Sequence, residues 1–309
     1  KRIGVTGSNG KTATKEMIAS MLAAADATVF SRGNYNSDIG LPLEILRVRD
    51  THRYGVFELG MNRPGEIREL AELVEPDIAV ITNIGSAHIG MIGSRRGIAE
   101  EKKQILSQFA GTQTAVLPAS GEFSRFLATD VAGQVVRYGR SSAGVVRVEP
   151  HGLAGSQLHL REGAVTLALA GDHMIANALA ALTVARIIGI PFEAIKTGLE
   201  GVGPMFGRGQ VIPGPVTVIQ DCYNANPESM VKALELLEET PTSGRRIAIL
   251  GAMKELGDES DAAHRALVQR AVSATIDEVW LYGAEFVAAE PPTSDSSVRV
   301  FGDEDWGEI

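Results

Sequence analysis

The chain has 309 residues, of which 44% are hydrophobic and 22% charged, with a formal net charge of −9. That length accommodates two domains and that composition excludes a disordered chain, while the acidic balance argues against a general nucleic-acid binder, which meets phosphates with clustered Lys and Arg. The longest apolar stretch, Ile175 to Ala185, is interrupted by Asn177 and Thr183 and falls short of the ~20 residues a membrane span needs; the single cysteine, Cys222, excludes an intramolecular disulfide framework and fits a reducing cytoplasm.

Residues 1 to about 118 alternate short apolar runs with helical periodicity, the pattern of a parallel sheet wrapped by helices. Strands are expected at Arg2 to Val5, Thr28 to Phe30, Tyr54 to Leu59, Ile78 to Thr82 and Thr114 to Leu117. A helix is expected from Lys11 to Ala24, with Met17, Ile18, Met21 and Leu22 on one face, and crossover helices at Gly65 to Val74 and Arg95 to Phe109. From Gln134 to Ala170 the short alternating runs predict antiparallel strands. Helices follow at Met174 to Ile188 and Phe192 to Glu200, and the crowding of Gly201, Gly203, Pro204, Gly207 and Gly209 predicts a hinge. A second alternating block then runs through a strand at Val216 to Gln220, a helix at Pro227 to Glu238, a strand at Arg246 to Leu250, a helix at Ala262 to Ala274 and a strand at Glu278 to Leu281, before an acidic stretch near residue 309. A first strand that begins at the second residue predicts further chain upstream.

The stretch Val5-Thr6-Gly7-Ser8-Asn9-Gly10-Lys11-Thr12 follows a strand and opens a helix, the context of a phosphate cradle. Gly7 and Gly10 turn backbone N–H groups inward, Lys11 offers a point charge to phosphate oxygens and Thr12 a hydroxyl to Mg2+. Val5 stands where the ordinary P-loop has glycine, which leaves the shorter Gly-x-x-Gly-Lys-Thr. In an open parallel sheet the ligand crevice lies at the carboxyl ends of the strands, and Glu58 and His88 sit at or after such ends. With Thr12 they could hold a divalent cation. Taken singly, a strand-end Glu such as Glu58 is more often a solvated or salt-bridged surface group and a loop His such as His88 more often hydrogen-bonded than metal-bound, while Lys102, among Glu100, Glu101 and Lys103, reads as part of a solvated face. Gly33-Asn34-Tyr35-Asn36 is a polar turn, and His173, Asn177 and Arg208 are ambiguous one by one. In Asp221-Cys222-Tyr223-Asn224-Ala225-Asn226-Pro227, Asn226 suits an N-cap and Pro227 a first helical turn, with Cys222 read as a small buried residue.

Together these motifs resemble the Mur ligase family, ATP-dependent amide-forming enzymes of bacterial cell-wall synthesis, over nearly the whole chain. Gly33 to Asn36 followed by Ile39-Gly40-Leu41-Pro42, Glu58-Leu59-Gly60-Met61-Asn62, and above all Tyr223-Asn224-Ala225-Asn226-Pro227 look like the member that adds D-alanyl-D-alanine to UDP-N-acetylmuramoyl-tripeptide. The resemblance implies an α/β fold: a central P-loop-type, mostly parallel sheet with flanking antiparallel strands in an ATP-binding domain at 1–208, followed by a partial Rossmann-like ligase domain at 209–309. It implies ATP and Mg2+ as cofactors, with Thr6, Gly7, Asn9, Gly10, Lys11 and Thr12 around the phosphates, and Glu58 and His88 as further magnesium ligands. Lys102, or Lys103 beside it, matches the lysine carried as a carbamate, an anion able to approach Mg2+. Asn177 resembles the adenine contact, Arg208 the arginine that reaches the phosphates, and Asp221 the carboxylate on the ribose side, with Asn224 and Asn226 in the same site. Lys11, His88, Lys102 and Arg208 carry the catalytic roles.

This chain departs from the family in having Met174 after His173 and Gln220 before Asp221. The uridine-nucleotide domain and the end of the carboxyl domain are expected to be missing, so that the chain binds ATP without ligating. A cytoplasmic monomer without nucleic-acid partner or membrane span is implied. The alternatives are another ligase of this type, one adding glutamate to folate, or a nucleotide-binding regulatory module.

Overall fold

The computed structural model describes residues 1–289 and 297–302; the acidic stretch expected beyond them lies outside the described residues. Contacts divide the chain into two units, one of Lys1–Gly85 with Ser94–Gly203 and one of Ser86–Gly93 with Pro204–Ile309.

The first unit is built on a six-stranded sheet of β1 (Arg2–Thr6), β2 (Thr28–Phe30), β3 (Tyr54–Glu58), β4 (Ile78–Ile81), β5 (Thr114–Pro118) and β6 (Gln134–Tyr138), in the order β2-β3-β1-β4-β5-β6. Every neighbouring pair is parallel. Central strands of such a sheet are covered on both faces, so they read as continuous apolar runs: Ile3 and Val5, Ala79 to Ile81 and Ala115 to Leu117 are all fully buried. The helix Lys11–Ala23 follows β1 and buries Met17, Ile18, Met21 and Leu22 as its spacing requires. It packs against the helices Asp172–Ile188 and Phe192–Glu200. The expected helix from Arg95 is α-helical over Arg95–Lys103 and tightens to a 3-10 turn at Gln104–Leu106.

The antiparallel strands begin later than expected. Gln134–Tyr138 joins the main sheet as its parallel edge, and only β7 (Val145–Pro150), β8 (Ser156–Leu160) and β9 (Ala164–Leu167) form the separate antiparallel sheet. An edge strand is only half covered, so its short mixed run looks like that of a hairpin strand.

In the second unit β10 (Gln210–Ile212) and β11 (Val218–Gln220) form an antiparallel pair, while β12 (Ile247–Gly251), β13 (Glu278–Tyr282) and β14 (Val298–Phe301) form a parallel sheet in that order. The strand expected at Val216 to Gln220 therefore opens no α/β sheet; it folds back on β10. The helices Pro227–Glu239 and Ser260–Val272 stand where the periodicity places them, within a few residues. His264, on the second of these helices, is fully buried against Phe286 and the loop after β12. The Met253 N–H donates to its Nε2 at 3.0 Å and its Nδ1 donates to the Ser260 carbonyl at 2.8 Å, which requires the neutral ring.

Candidate active site

Winding reverses at β1, whose neighbours are β3 on one side and β4 on the other, so the carboxyl ends of these three strands form the crevice of the first sheet. The loop Gly7–Gly10 fills it. Gly7 has φ 149° and a Cβ there would lie 1.8 Å from Thr82 Oγ1; Gly10 has φ 77° and a Cβ would lie 2.2 Å from Asn177 Oδ1. Both positions demand glycine on conformation and on space. The loop is pinned from β4's end: Asn83 accepts from the Ser8 N–H at 3.0 Å through its carbonyl and from the Asn9 N–H at 2.9 Å through Oδ1. Thr82 Oγ1 and Asn83 Nδ2 both donate to the Asn9 carbonyl, at 2.6 and 2.9 Å. Ser8 Oγ accepts from the Gly85 N–H at 2.8 Å, and Thr6 Oγ1 donates to the Leu59 carbonyl at 2.8 Å. Thr82 and Asn83 escaped the reading of the sequence, although their place directly after a central strand was the available signal.

Lys11 Nζ folds back over the loop and donates to the carbonyls of Gly7 at 2.9 Å and Ser8 at 3.3 Å. Thr12, in the first turn of its helix, is buried. Glu58 ends β3, directly beside Val5 in register, and is 1% exposed. Its backbone N–H donates to Ser31 Oγ at 3.0 Å and its Oε1 accepts from Asn36 Nδ2 at 2.7 Å, whereas Oε2 is buried with no hydrogen-bond partner among the described residues. A buried carboxylate oxygen left in that condition suits a cation, and Mg2+ takes one or two carboxylates together with phosphate oxygens.

Lys102 is 1% exposed. Burial holds its amine well below the usual value, the Lys11 charge adds to this and Glu101 opposes it. Burial this complete means that the solvated-face reading does not hold for Lys102, and an amine held low gives up its proton more readily than an exposed one. Lys103 is differently engaged: its Nζ donates to the carbonyls of Phe126 at 3.1 Å and Thr129 at 2.6 Å. Asn177 is buried on the helix Asp172–Ile188, its amide over Gly10.

The remaining candidates lie in the second unit. His88, with φ 66°, pairs through Nδ1 with Glu255 Oε2 at 2.6 Å. Around it Ser86 donates from N and Oγ to the Glu228 carboxylate, and Gly90 N–H donates to the Glu255 carbonyl at 2.9 Å. The Arg208 guanidinium stacks 3.9 Å from the centre of the Tyr223 ring, and the Tyr223 N–H donates to the Gly207 carbonyl at 3.0 Å. Asn224 Oδ1 accepts from the Ala225 N–H at 2.9 Å, Asp221 is exposed, and buried Asn226 caps the helix Pro227–Glu239. Cys222, expected to be buried, is exposed on this loop. Among the described residues no three His, Cys, Asp or Glu side chains converge to hold a metal, and no helix is long and apolar enough to cross a membrane.

Residues 5–185 match the Mur ligase middle domain and residues 207–304 the glutamate ligase domain of Mur ligases. Over 301 residues, 97% of this chain, the sequence is 40% identical to the UDP-N-acetylmuramoyl-tripeptide--D-alanyl-D-alanine ligase of Treponema pallidum, and it spans 65% of that relative's length. Among solved structures, MurF from Acinetobacter baumannii superposes with a TM-score of 0.88 at 34% identity, covering 97% of this chain and 67% of that one. MurF ligase from Thermotoga maritima, solved in complex with ADP, superposes with a TM-score of 0.81 at 28% identity, covering 98% and 70%.

Proposed function

Because the chain belongs to the Mur ligase family, we propose that it forms the nucleotide-binding and ligase parts of an enzyme that joins D-alanyl-D-alanine to UDP-N-acetylmuramoyl-tripeptide at the expense of ATP, in the cytoplasmic synthesis of peptidoglycan precursor by a monomer. The observation that carries this reading is the crevice of the first sheet, where Lys11 Nζ folds over the glycine loop and Glu58, beside Val5 in register, keeps a buried oxygen with no hydrogen-bond partner among the described residues. We assign residues 1–208 to ATP binding and 209–309 to the ligase domain.

In this reading the tripeptide's terminal carboxylate attacks the γ-phosphorus, ADP departs, and an acyl phosphate results. The D-alanyl-D-alanine amine then attacks the acyl carbon, phosphate leaves, and the amine surrenders a proton. Thr6 to Thr12 cradle the phosphates through loop N–H groups, and Lys11 exchanges its loop carbonyls for phosphate oxygens. Thr12, Glu58 and a carbamylated Lys102 would hold Mg2+, with His88 the further ligand that the family resemblance proposes, and the ion would neutralise charge on the transferred phosphoryl group. Asn177 meets the adenine. Arg208, Asp221, Asn224 and Asn226 are assigned nucleotide contacts as well.

Phosphate release, measured in a polypeptide of the relatives' full length with each substrate omitted in turn, tests the assignment: release that does not require both the muramoyl tripeptide and D-alanyl-D-alanine excludes it. The carbamate has its own check. A carbonyl signal from isotopically labelled bicarbonate is expected in the native chain and absent in Lys102→Ala.

A further inference from the structure

Asn36 belongs to a polar turn whose plainest role is connection, yet three contacts fix it against the end of β3. Its carbonyl accepts from the Gly60 N–H at 2.8 Å, its Nδ2 donates to Glu58 Oε1 at 2.7 Å, and Gly60 approaches so closely that a Cβ there would lie 2.9 Å from the Asn36 amide. Glu58 is held from its other side as well, its N–H donating to Ser31 Oγ. Ser31 is fully buried and its carbonyl accepts from Lys15 Nζ at 2.7 Å, so that strut does not yield. One carboxylate oxygen is thereby satisfied and turned, and the other, Oε2, is left buried without a partner among the described residues. A carboxylate with both oxygens hydrogen-bonded gains less from a cation. One with neither held loses orientation on binding it.

We propose that Asn36 is a positioning residue: its amide clamps Glu58 Oε1 and so presents Oε2 to a divalent cation, with Gly60 required to let the clamp close. The inference rests on the proposed role of Glu58 in holding Mg2+. Outer partners of metal ligands typically change metal affinity by about 10- to 100-fold when removed.

The test is a titration of this chain with Mg2+ at fixed fluorescent ATP analogue, together with binding of the analogue in chelator and thermal melting. Asn36→Leu keeps the branched shape and removes the donor; it is expected to raise the Mg2+ concentration at half-saturation about tenfold, leaving chelator binding and melting near native. Gly60→Ala should do the same by displacing the amide. In a Glu58→Gln background Asn36→Leu should add little, whereas a merely structural effect would add in full. An unchanged Mg2+ requirement, or equal losses with and without Mg2+, overturns the proposal. If Asn36→Leu does not fold, Asn36→Ser carries the same comparison. A native chain whose analogue binding ignores Mg2+ overturns instead the reading of Glu58 itself.

Discussion

Single atoms set the tolerances of the crevice. A methyl group on Gly10 would stand 2.2 Å from Asn177 Oδ1 at a φ of 77°, so Gly10→Ala must displace the amide and strain the turn. We expect nucleotide affinity, measured by calorimetry, to fall by at least about tenfold, or ~1.4 kcal/mol. Gly139→Ala, with extended backbone and no described residue within 4 Å of the added carbon, is the neutral comparison. Glu44 shows how a buried charge is held. Burial works to raise its carboxyl, but hydrogen bonds from Arg32 and Arg47 outweigh that and keep it below its ordinary value. Its ionised form stabilises the fold in full above the unfolded carboxylate value, and that contribution is lost as pH falls through the lowered one. Denaturant midpoints should therefore drop on acidification in the native chain and drop less in Glu44→Gln.

Helices are placed by what meets their ends and their closest approach. The helix Pro227–Glu239 begins with a reciprocal cap: Asn226 Oδ1 accepts from the Ser229 N–H at 3.0 Å and Ser229 Oγ accepts from the Asn226 N–H at 3.1 Å. Asn226→Ala should cost about 1 kcal/mol in denaturant unfolding. The helix Glu66–Val74 is instead capped from a distance, Glu101 accepting from the Gly65 and Ile67 N–H groups at 3.0 and 3.1 Å. That charge-assisted contact also fixes the helix Arg95–Lys103 that carries Lys102. Between the helices Lys11–Ala23 and Phe192–Glu200 the constraint is steric. A Cβ on Gly198 would fall 2.3 Å from Met21 Cα, and Ser20 Oγ donates to the Gly198 carbonyl at 2.7 Å. Gly198→Ala must push two backbones apart, and a loss of about 1–3 kcal/mol is expected from the overpacking.

At the scale of the molecule, a ligand of the crevice stabilises the unit that holds it by mass action. Mg2+ and ATP analogue at about 100 times their dissociation constant should add ~2.7 kcal/mol to the unfolding of the first unit, and a chelator should withdraw part of it. Differential scanning calorimetry with and without chelator checks this. The sequence alone determined the parallel sheet, because strands buried on both faces must be apolar throughout, and it determined the glycine loop, because φ above zero and the absence of a Cβ leave one residue type. It also marked Asn226 and Pro227, whose capping chemistry is local. Only the tertiary structure decided the sheet membership of Gln134–Tyr138 and Val218–Gln220, since pairing partners leave no trace in a short alternating run. Only it showed Lys102 buried where Lys103 meets the Phe126 and Thr129 carbonyls, and only it brought Asn36 to Glu58, 22 residues away along the chain. Burial and contact between distant residues depend on how the chain folds back on itself, and no spacing along the sequence carries that information.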